Sequence, residues 1–284
     1  MKTGFIGLGA MGEGMAKNVA KQGLLTSVYN RTPQKAVRLA EELNVDCCDS
    51  IAALTRQSDI ILLCVSADED VLNVVKQISL AVNPGSVIVD MSTVSMETAR
   101  QAAQILRSRQ ADFLDAPVSG GTEGAKNGTL AMMVGGSEPA LEKARPVLET
   151  MTSRITHMGD TGSGQATKAV NQIMAAGINQ AVTEALAFGQ AQALDMDKVI
   201  QVISGGAAGN WFLQHRGPSM TKGVFKPGFK VALHAKDLKI CQQMAEQAGI
   251  DLPLTQTTLD AYQQLMEQGF ADEDISSLYR LKKK

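Results

Sequence analysis

The sequence predicts an α/β fold: a doubly wound parallel sheet in the first half, followed by an all-α second half joined to it by a long buried helix. Three observations carry this. Short β-rich runs alternate with amphipathic helical segments through the first half of the chain. A glycine-rich turn, Gly7-Leu8-Gly9-Ala10-Met11-Gly12, interrupts the first passage from strand to helix. From Gly162 onward the β-branched runs give way to long helical stretches, with breaks at Gly205-Gly206, Pro218, Pro227-Gly228 and Leu252-Pro253.

In order, residues 3–7, 27–29, 60–65, 86–91 and 113–116 read as strands, and 11–22, 34–43, 70–82 and 95–107 as helices between them. Residues 131–134 and 154–157 add strands around a helix at 139–151. Residues 165–194 are apolar or small on nearly every face, with Ala169, Val170, Ile173, Met174, Ala176, Val182 and Leu186 among them. That pattern predicts a helix buried all round, as a spine between domains or part of a subunit interface. Two domains follow, 1–161 and 162–284.

The chain has 284 residues, with 27 basic and 29 acidic side chains and a formal charge of −2, which gives no support to a nucleic-acid or acidic-membrane partner. The basic run Arg280 to Lys284 reads as a solvated terminus. Cys47, Cys48, Cys64 and Cys241 form no C-x-x-C, and His157, His215 and His234 are scattered, so neither a disulfide framework nor a metal site is expected. Met1 and Lys2 lead directly into an apolar strand, and no apolar stretch approaches the length of a bilayer span, so a cytoplasmic protein is expected.

The turn Gly7 to Gly12 is a G-x-G-x-x-G placed directly after a strand and opening a helix. In a Rossmann-type unit the first glycine makes the tight turn, the second admits backbone to a pyrophosphate, and the third lets helix pack on strand. Leu8, Ala10 and Met11 belong to the same phosphate-facing turn. The end of the second strand carries Asn30, Arg31 and Thr32 and no carboxylate. An acidic residue there would bind ribose hydroxyls and repel a 2′-phosphate, whereas Arg31 offers the phosphate a fork of donors. NADP is therefore the preferred cofactor, with NAD possible.

Further along, Ser119-Gly120-Gly121 follows a strand as a loop at the carboxyl end of a parallel sheet, where a hydroxyl and successive N–H groups can cradle a carboxylate. Lys168 sits one turn into the apolar helix behind Gly162 and Gly164, where burial and a helix N-terminus both disfavour an ammonium. Asn171 and Gln172 follow three and four residues later on much the same face.

Four segments together resemble the β-hydroxyacid dehydrogenases, the group that contains 3-hydroxyisobutyrate dehydrogenase, tartronate semialdehyde reductase and the glyoxylate/succinic semialdehyde reductases. They are Phe5 to Ala16, Asp115 to Leu130, Gly162 to Gln172, and Lys236-Asp237-Leu238, and the likeness spans essentially the whole chain. The resemblance implies that Ser119, Gly120 and Gly121 grip a substrate carboxylate and that Lys168 is the acid and base. It also implies an amide side chain beside the lysine that orients the substrate. Some relatives have asparagine at the second of the two amide positions, whereas here Asn171 precedes Gln172; Asn171 is preferred, with Gln172 as its partner. Val65, Ser66, Thr93 and Lys236 match positions on the cofactor, and Asp237 one that supports the site near Lys168. Residues 225–229 resemble the tartronate semialdehyde and 3-hydroxyisobutyrate enzymes more than the succinic semialdehyde group, and Trp211 and Phe212 either wall the pocket or pack a core.

The expected function is hydride transfer between NADP(H) and a small β-hydroxy acid or semialdehyde by a homodimer or homotetramer. The alternatives are a glyoxylate/succinic semialdehyde reductase, an imine reductase, which would not need a lysine at position 168, and a non-catalytic dinucleotide-binding module, which would not need the Ser119 loop.

Overall fold

The computed structural model describes residues 1–282, so Lys283 and Lys284 of the basic tail lie outside the described residues. The chain divides into two compact units, Met1–Lys168 and Ala169–Lys284.

The first unit opens with β1 (Thr3–Ile6), α1 (Ala10–Lys21), β2 (Leu25–Tyr29), α2 (Pro33–Leu43), β3 (Asp46–Cys47) and α3 (Ile51–Arg56). It continues through β4 (Ile60–Leu63), α4 (Asp68–Ser79), β5 (Val87–Asp90), α5 (Met96–Arg107) and β6 (Asp112–Asp115). These strands are parallel, in the order β3-β2-β1-β4-β5-β6. The order reverses between β1 and β4, which makes the carboxyl ends of those strands the place where such sheets bind ligands. Then come β7 (Val118–Ser119), α6 (Gly121–Asn127), β8 (Leu130–Gly135), α7 (Glu138–Leu148) and β9 (Thr152–Gly159). β8 runs antiparallel to β6 and β7 and parallel to β9.

The central strands are apolar at nearly every position because helices cover both faces of the sheet. Phe5, Val28, Leu62 and Val89 pack into one core cluster, and Ile6, Ile61, Leu63 and Ile88 into another. That is the two-residue alternation of a strand. On α4, Val71, Val75 and Ile78 form the buried stripe that fastens the helix to the sheet, each worth about 1.5–3 kcal/mol of burial. β3, α3, β7 and α6 are additions to the expected elements. They are too short, or in α6 too rich in glycine, to show a period in sequence. Ser119 thus ends a short strand paired to β8, and Gly121 opens a helix rather than continuing a loop.

Helix α8 (Ser163–Ala191) starts in the first unit and continues into the second, which adds α9 (Met196–Ser204), α10 (Trp211–Met220), α11 (Val231–Ala248), α12 (Pro253–Glu267) and a 3-10 helix, Ile275–Lys282. Ala176, Val182, Leu186, Phe212, Leu238 and Tyr262 share its core. Helix α8 is buried on one flank only: Val170, Met174 and Phe188 are 59%, 60% and 66% exposed. The sequence expected it buried all round because the exposed flank is apolar too. Pro218 does not end a helix but stands in the last turns of α10. Phe212 packs in the core, whereas Trp211 lies on the surface, stacked on His215 at 4.3 Å.

Candidate active site

The turn between β1 and α1 is built around two close approaches. Gly7 has φ +97°, and a Cβ there would fall 2.1 Å from the Cys64 carbonyl oxygen. A Cβ at Gly12 would fall 2.0 Å from the Gly7 carbonyl oxygen, so only glycine lets α1 sit this close to the strand end. Gly9 is different: it is exposed, and a Cβ there would meet nothing within 4 Å. It is the N-cap of α1, and no side chain caps that first turn. An uncapped helix N-terminus beside open space fits a pyrophosphate, which would take hydrogen bonds from the free N–H groups and be stabilised by the helix dipole.

At the end of β2, the Asn30 Oδ1 accepts from the Leu8 N–H at 2.8 Å and its Nδ2 donates to the Thr32 carbonyl at 3.1 Å. Asn30 therefore braces the glycine turn. Arg31 is 86% exposed and pairs with Asp70, on the first turn of α4, at 3.0 Å. Val65 and Ser66 follow β4, and Thr93 follows β5, its neighbour in the sheet. The Ser92 Oγ accepts from the Val65 N–H at 2.9 Å and ties the two strand ends together.

Lys168 is buried, and its Nζ donates to the Val118 carbonyl at 2.9 Å. The residues directly after Val118 are Ser119, Gly120 and Gly121, the last two with φ of +133° and +62°, backbone that glycine adopts without strain. The structure thus places the lysine head against the loop predicted to bind the carboxylate.

In the second unit, Asn171, Gln172, Asp237 and Lys236 form a chain. Asn171 Nδ2 donates to Gln172 Oε1 at 2.8 Å, Gln172 Nε2 donates to Asp237 Oδ2 at 2.7 Å, and Lys236 Nζ lies 2.9 Å from Asp237 Oδ1. A carboxylate only accepts, so Asp237 fixes which way the Gln172 amide faces. Gln172 is buried with both ends engaged by protein, whereas Asn171 is half-buried.

Two buried acids were not assigned a role from sequence. Asp90 and Asp115 end the adjacent strands β5 and β6 in register and are fully buried. Asp115 Oδ1 accepts from the Gly162 N–H at 2.7 Å and Oδ2 from the Gln165 N–H at 2.9 Å. Burial holds the Asp115 carboxyl above the usual carboxylate range, and these N–H donors offset only part of that rise. Burial raises Asp90 to about 7, opposed by its hydrogen bonds to Ser92 and reinforced by the charges of Asp115 and Asp68. Asp90 Oδ2 has no hydrogen-bond partner, so of the two Asp90 is the better proton site. Gln165 is buried as well: Oε1 accepts from the Val94 N–H at 3.2 Å and Nε2 donates to the Ser92 carbonyl at 2.8 Å. The available signal was a carboxylate ending an otherwise apolar strand, as in Val87-Ile88-Val89-Asp90.

Among the described residues no group of three or more His, Cys, Asp or Glu is arranged to hold a metal, and no helix is long and apolar enough to cross a membrane.

Comparison with known proteins identifies the kind of chain this is. Residues 2–159 match the NAD-binding domain of 6-phosphogluconate dehydrogenase, and residues 162–282 match the NAD-binding domain of NADP-dependent 3-hydroxyisobutyrate dehydrogenase. The chain is 39% identical over 282 residues to 2-hydroxy-3-oxopropionate reductase of Escherichia coli, covering 98% of this chain and 96% of that one. It is 33% identical to NAD-dependent L-serine dehydrogenase of Pseudomonas aeruginosa, with 98% and 96% covered. Among solved structures, 3-hydroxyisobutyrate dehydrogenase of Mycobacterium tuberculosis with L-serine superposes with a TM-score of 0.90 at 32% identity, covering 99% and 98% of the two chains.

Proposed function

The chain belongs to the β-hydroxyacid dehydrogenase family of NAD(P)-dependent oxidoreductases, and we propose that it acts between NADP(H) and a small acid with a β-hydroxyl or β-carbonyl group, such as 3-hydroxyisobutyrate or tartronate semialdehyde, using Lys168 as general acid and base. The observation that carries this is the buried Lys168 Nζ held 2.9 Å from the Val118 carbonyl, next to the Ser119-Gly120-Gly121 turn.

NAD(P) would be held by the turn Gly7 to Gly12, by Asn30 to Thr32, and by Val65, Ser66 and Thr93; when bound it supplies or accepts the hydride. In reduction, Lys168 Nζ donates a proton to the substrate oxygen as that oxygen becomes a hydroxyl, and in oxidation neutral Nζ takes it back. One Nζ hydrogen is committed to Val118, which aims the rest of the head group. The Ser119 hydroxyl and the Gly120 and Gly121 N–H groups hold the substrate carboxylate. The distance from that cradle to Nζ then sets which carbon can react. Gln172, locked by Asp237, supports Asn171 as the amide that meets the substrate.

NADP is favoured because Arg31 is the only charged residue among Asn30 to Thr32 and its pairing with Asp70 is solvent-exposed, hence easily exchanged for a phosphate. We read the protein as cytoplasmic and as a homodimer or homotetramer, a state supported by the exposed apolar Val170, Met174 and Phe188 on α8.

The test is a screen of NADPH and NADH oxidation with glyoxylate, tartronate semialdehyde, methylmalonate semialdehyde and succinic semialdehyde, beside oxidation of 3-hydroxyisobutyrate and serine. The expected result is turnover on the β-substituted acids, faster with NADPH. Turnover on succinic semialdehyde or glyoxylate alone would overturn the substrate class, and a preference for NADH the cofactor.

A further inference from the structure

We infer that Asp115 is a positioning residue that fixes the spacing between the carboxylate cradle and the Lys168 head group, and with it the length of acid the enzyme accepts. The inference rests on the reading of Lys168 and Ser119 to Gly121 given above.

Asp115 stands at the junction of two pieces. Through its backbone it begins the segment that runs by Ala116 and Pro117 to Val118 and the cradle. Through its side chain it fills the start of α8, one carboxylate oxygen on the Gly162 N–H and the other on the Gln165 N–H. Lys168 lies three residues beyond Gln165, and its Nζ returns to the same segment at the Val118 carbonyl. The segment 115–118 therefore grips the first turn and a half of α8 at both ends, and the cradle follows without an intervening residue.

The fit leaves no slack. A Cβ on Gly164 would come within 2.4 Å of the Asp115 carbonyl oxygen, and one on Gly135 within 2.5 Å of Asp115 Oδ1. A longer acid would not fit between these backbones. An amide at position 115 would keep the shape but turn an NH₂ toward one of the two N–H donors, so one end of the grip would open. Gln165 fixes the third direction, fastening the same turn to Ser92 and Val94 at the end of β5. Ser92 also holds Val65, so the lysine turn is referenced to the strand ends predicted to meet the cofactor.

The experiment compares Asp115→Asn and Gln165→Met with the parent and with Lys168→Ala. Each is assayed with a β-semialdehyde acid and with succinic semialdehyde, whose carbonyl is one carbon further from the carboxylate. Active sites are counted by NADPH fluorescence titration, so that misfolded protein does not enter kcat. We expect Asp115→Asn to lower kcat on the preferred acid at least 30-fold and to flatten the ratio of kcat/KM between the two acids at least tenfold. NADPH Kd should stay within about twofold. Gln165→Met should act in the same direction with a smaller factor, and it decides the matter if Asp115→Asn does not fold. A lower Tm with kcat per site and the selectivity ratio both within threefold of the parent would reduce Asp115 to a helix cap and overturn the inference. If Lys168→Ala itself keeps full turnover, the underlying assignment of the lysine fails instead.

Discussion

Two helix N-termini in the first unit meet their environment in opposite ways. The first turn of α1 has glycine at its N-cap, no side-chain cap and open space where a Cβ would stand. The first turn of α8 is closed by the fully buried carboxylate of Asp115, with glycines at positions 135 and 164 admitting it. Both turns carry N–H groups with no partner within the helix and the same end of a helix dipole, and both favour an anion. At α8 the protein supplies its own and thereby fixes a side chain, Lys168. At α1 it supplies none, which leaves the turn to an anion from outside. The same physical feature serves geometry in one place and, in the function proposed above, binding in the other.

Exchanging these roles is the strongest way to break the comparison. Gly9 has φ −76° and ψ −168°, which any residue adopts, so Gly9→Asp should fold and cap α1 from within. A carboxylate at that N-terminus meets the cofactor phosphates with like charge, a contact costing several kcal/mol. NADPH affinity is expected to fall about 100-fold or more, while Tm holds or rises by the small gain of a better cap. Unchanged NADPH affinity by fluorescence titration would remove the pyrophosphate from this turn.

A smaller effect sharpens the α1 side. Arg31→Ala should weaken NADPH by about 10- to 150-fold, the value of ~1.5–3 kcal/mol for a hydrogen bond to a charged group, and leave NADH nearly unchanged. The lower end applies if the arginine remains well solvated, and the assay must hold ionic strength fixed. Adding Asn30→Asp keeps an acceptor for the Leu8 N–H and should move the preference to NADH. Equal losses for both cofactors would show that Arg31 does not read the 2′-phosphate.

The smallest effect concerns the acid beside the closed terminus. The Asp90 carboxyl, near 7 when folded, lies above its unfolded value of 3.8. Its contribution to stability is therefore complete below the unfolded value and is lost as pH rises through about 7. Asp90→Asn has no such loss. Its stability relative to the parent should improve by roughly 2 kcal/mol between pH 5 and pH 8, read as a growing difference in Tm. A pH-independent difference would mean that Asp90 does not hold a proton in the folded protein.

The fold was legible because the features that encode it are local. Runs such as Ile60 to Leu63 and the glycine turn after Thr3 to Ile6 announce a parallel sheet and its first helix within a few residues. The two-residue strands and α6 left no period to read. The grip on α8 was hidden for a different reason: Asp115 reaches Gly162 across 47 positions and Gln165 across 50, and nothing local to Asp115 marks it as a cap. The same holds for Gln172, whose contact with Asp237 spans 65 positions and leaves no local mark in the sequence. Helix α8 misled in another way, since an apolar surface reads the same whether the chain itself or something else covers it.

The proton-transfer assignment of Lys168 is tested most directly by measuring kcat and NADPH Kd on the same preparation of Lys168→Ala. A general acid and base lost from a site that still binds cofactor should lower kcat by about 10²- to 10⁴-fold with Kd within about twofold. Turnover within threefold of the parent would take the proton away from Lys168 and leave the closed terminus of α8 without its purpose.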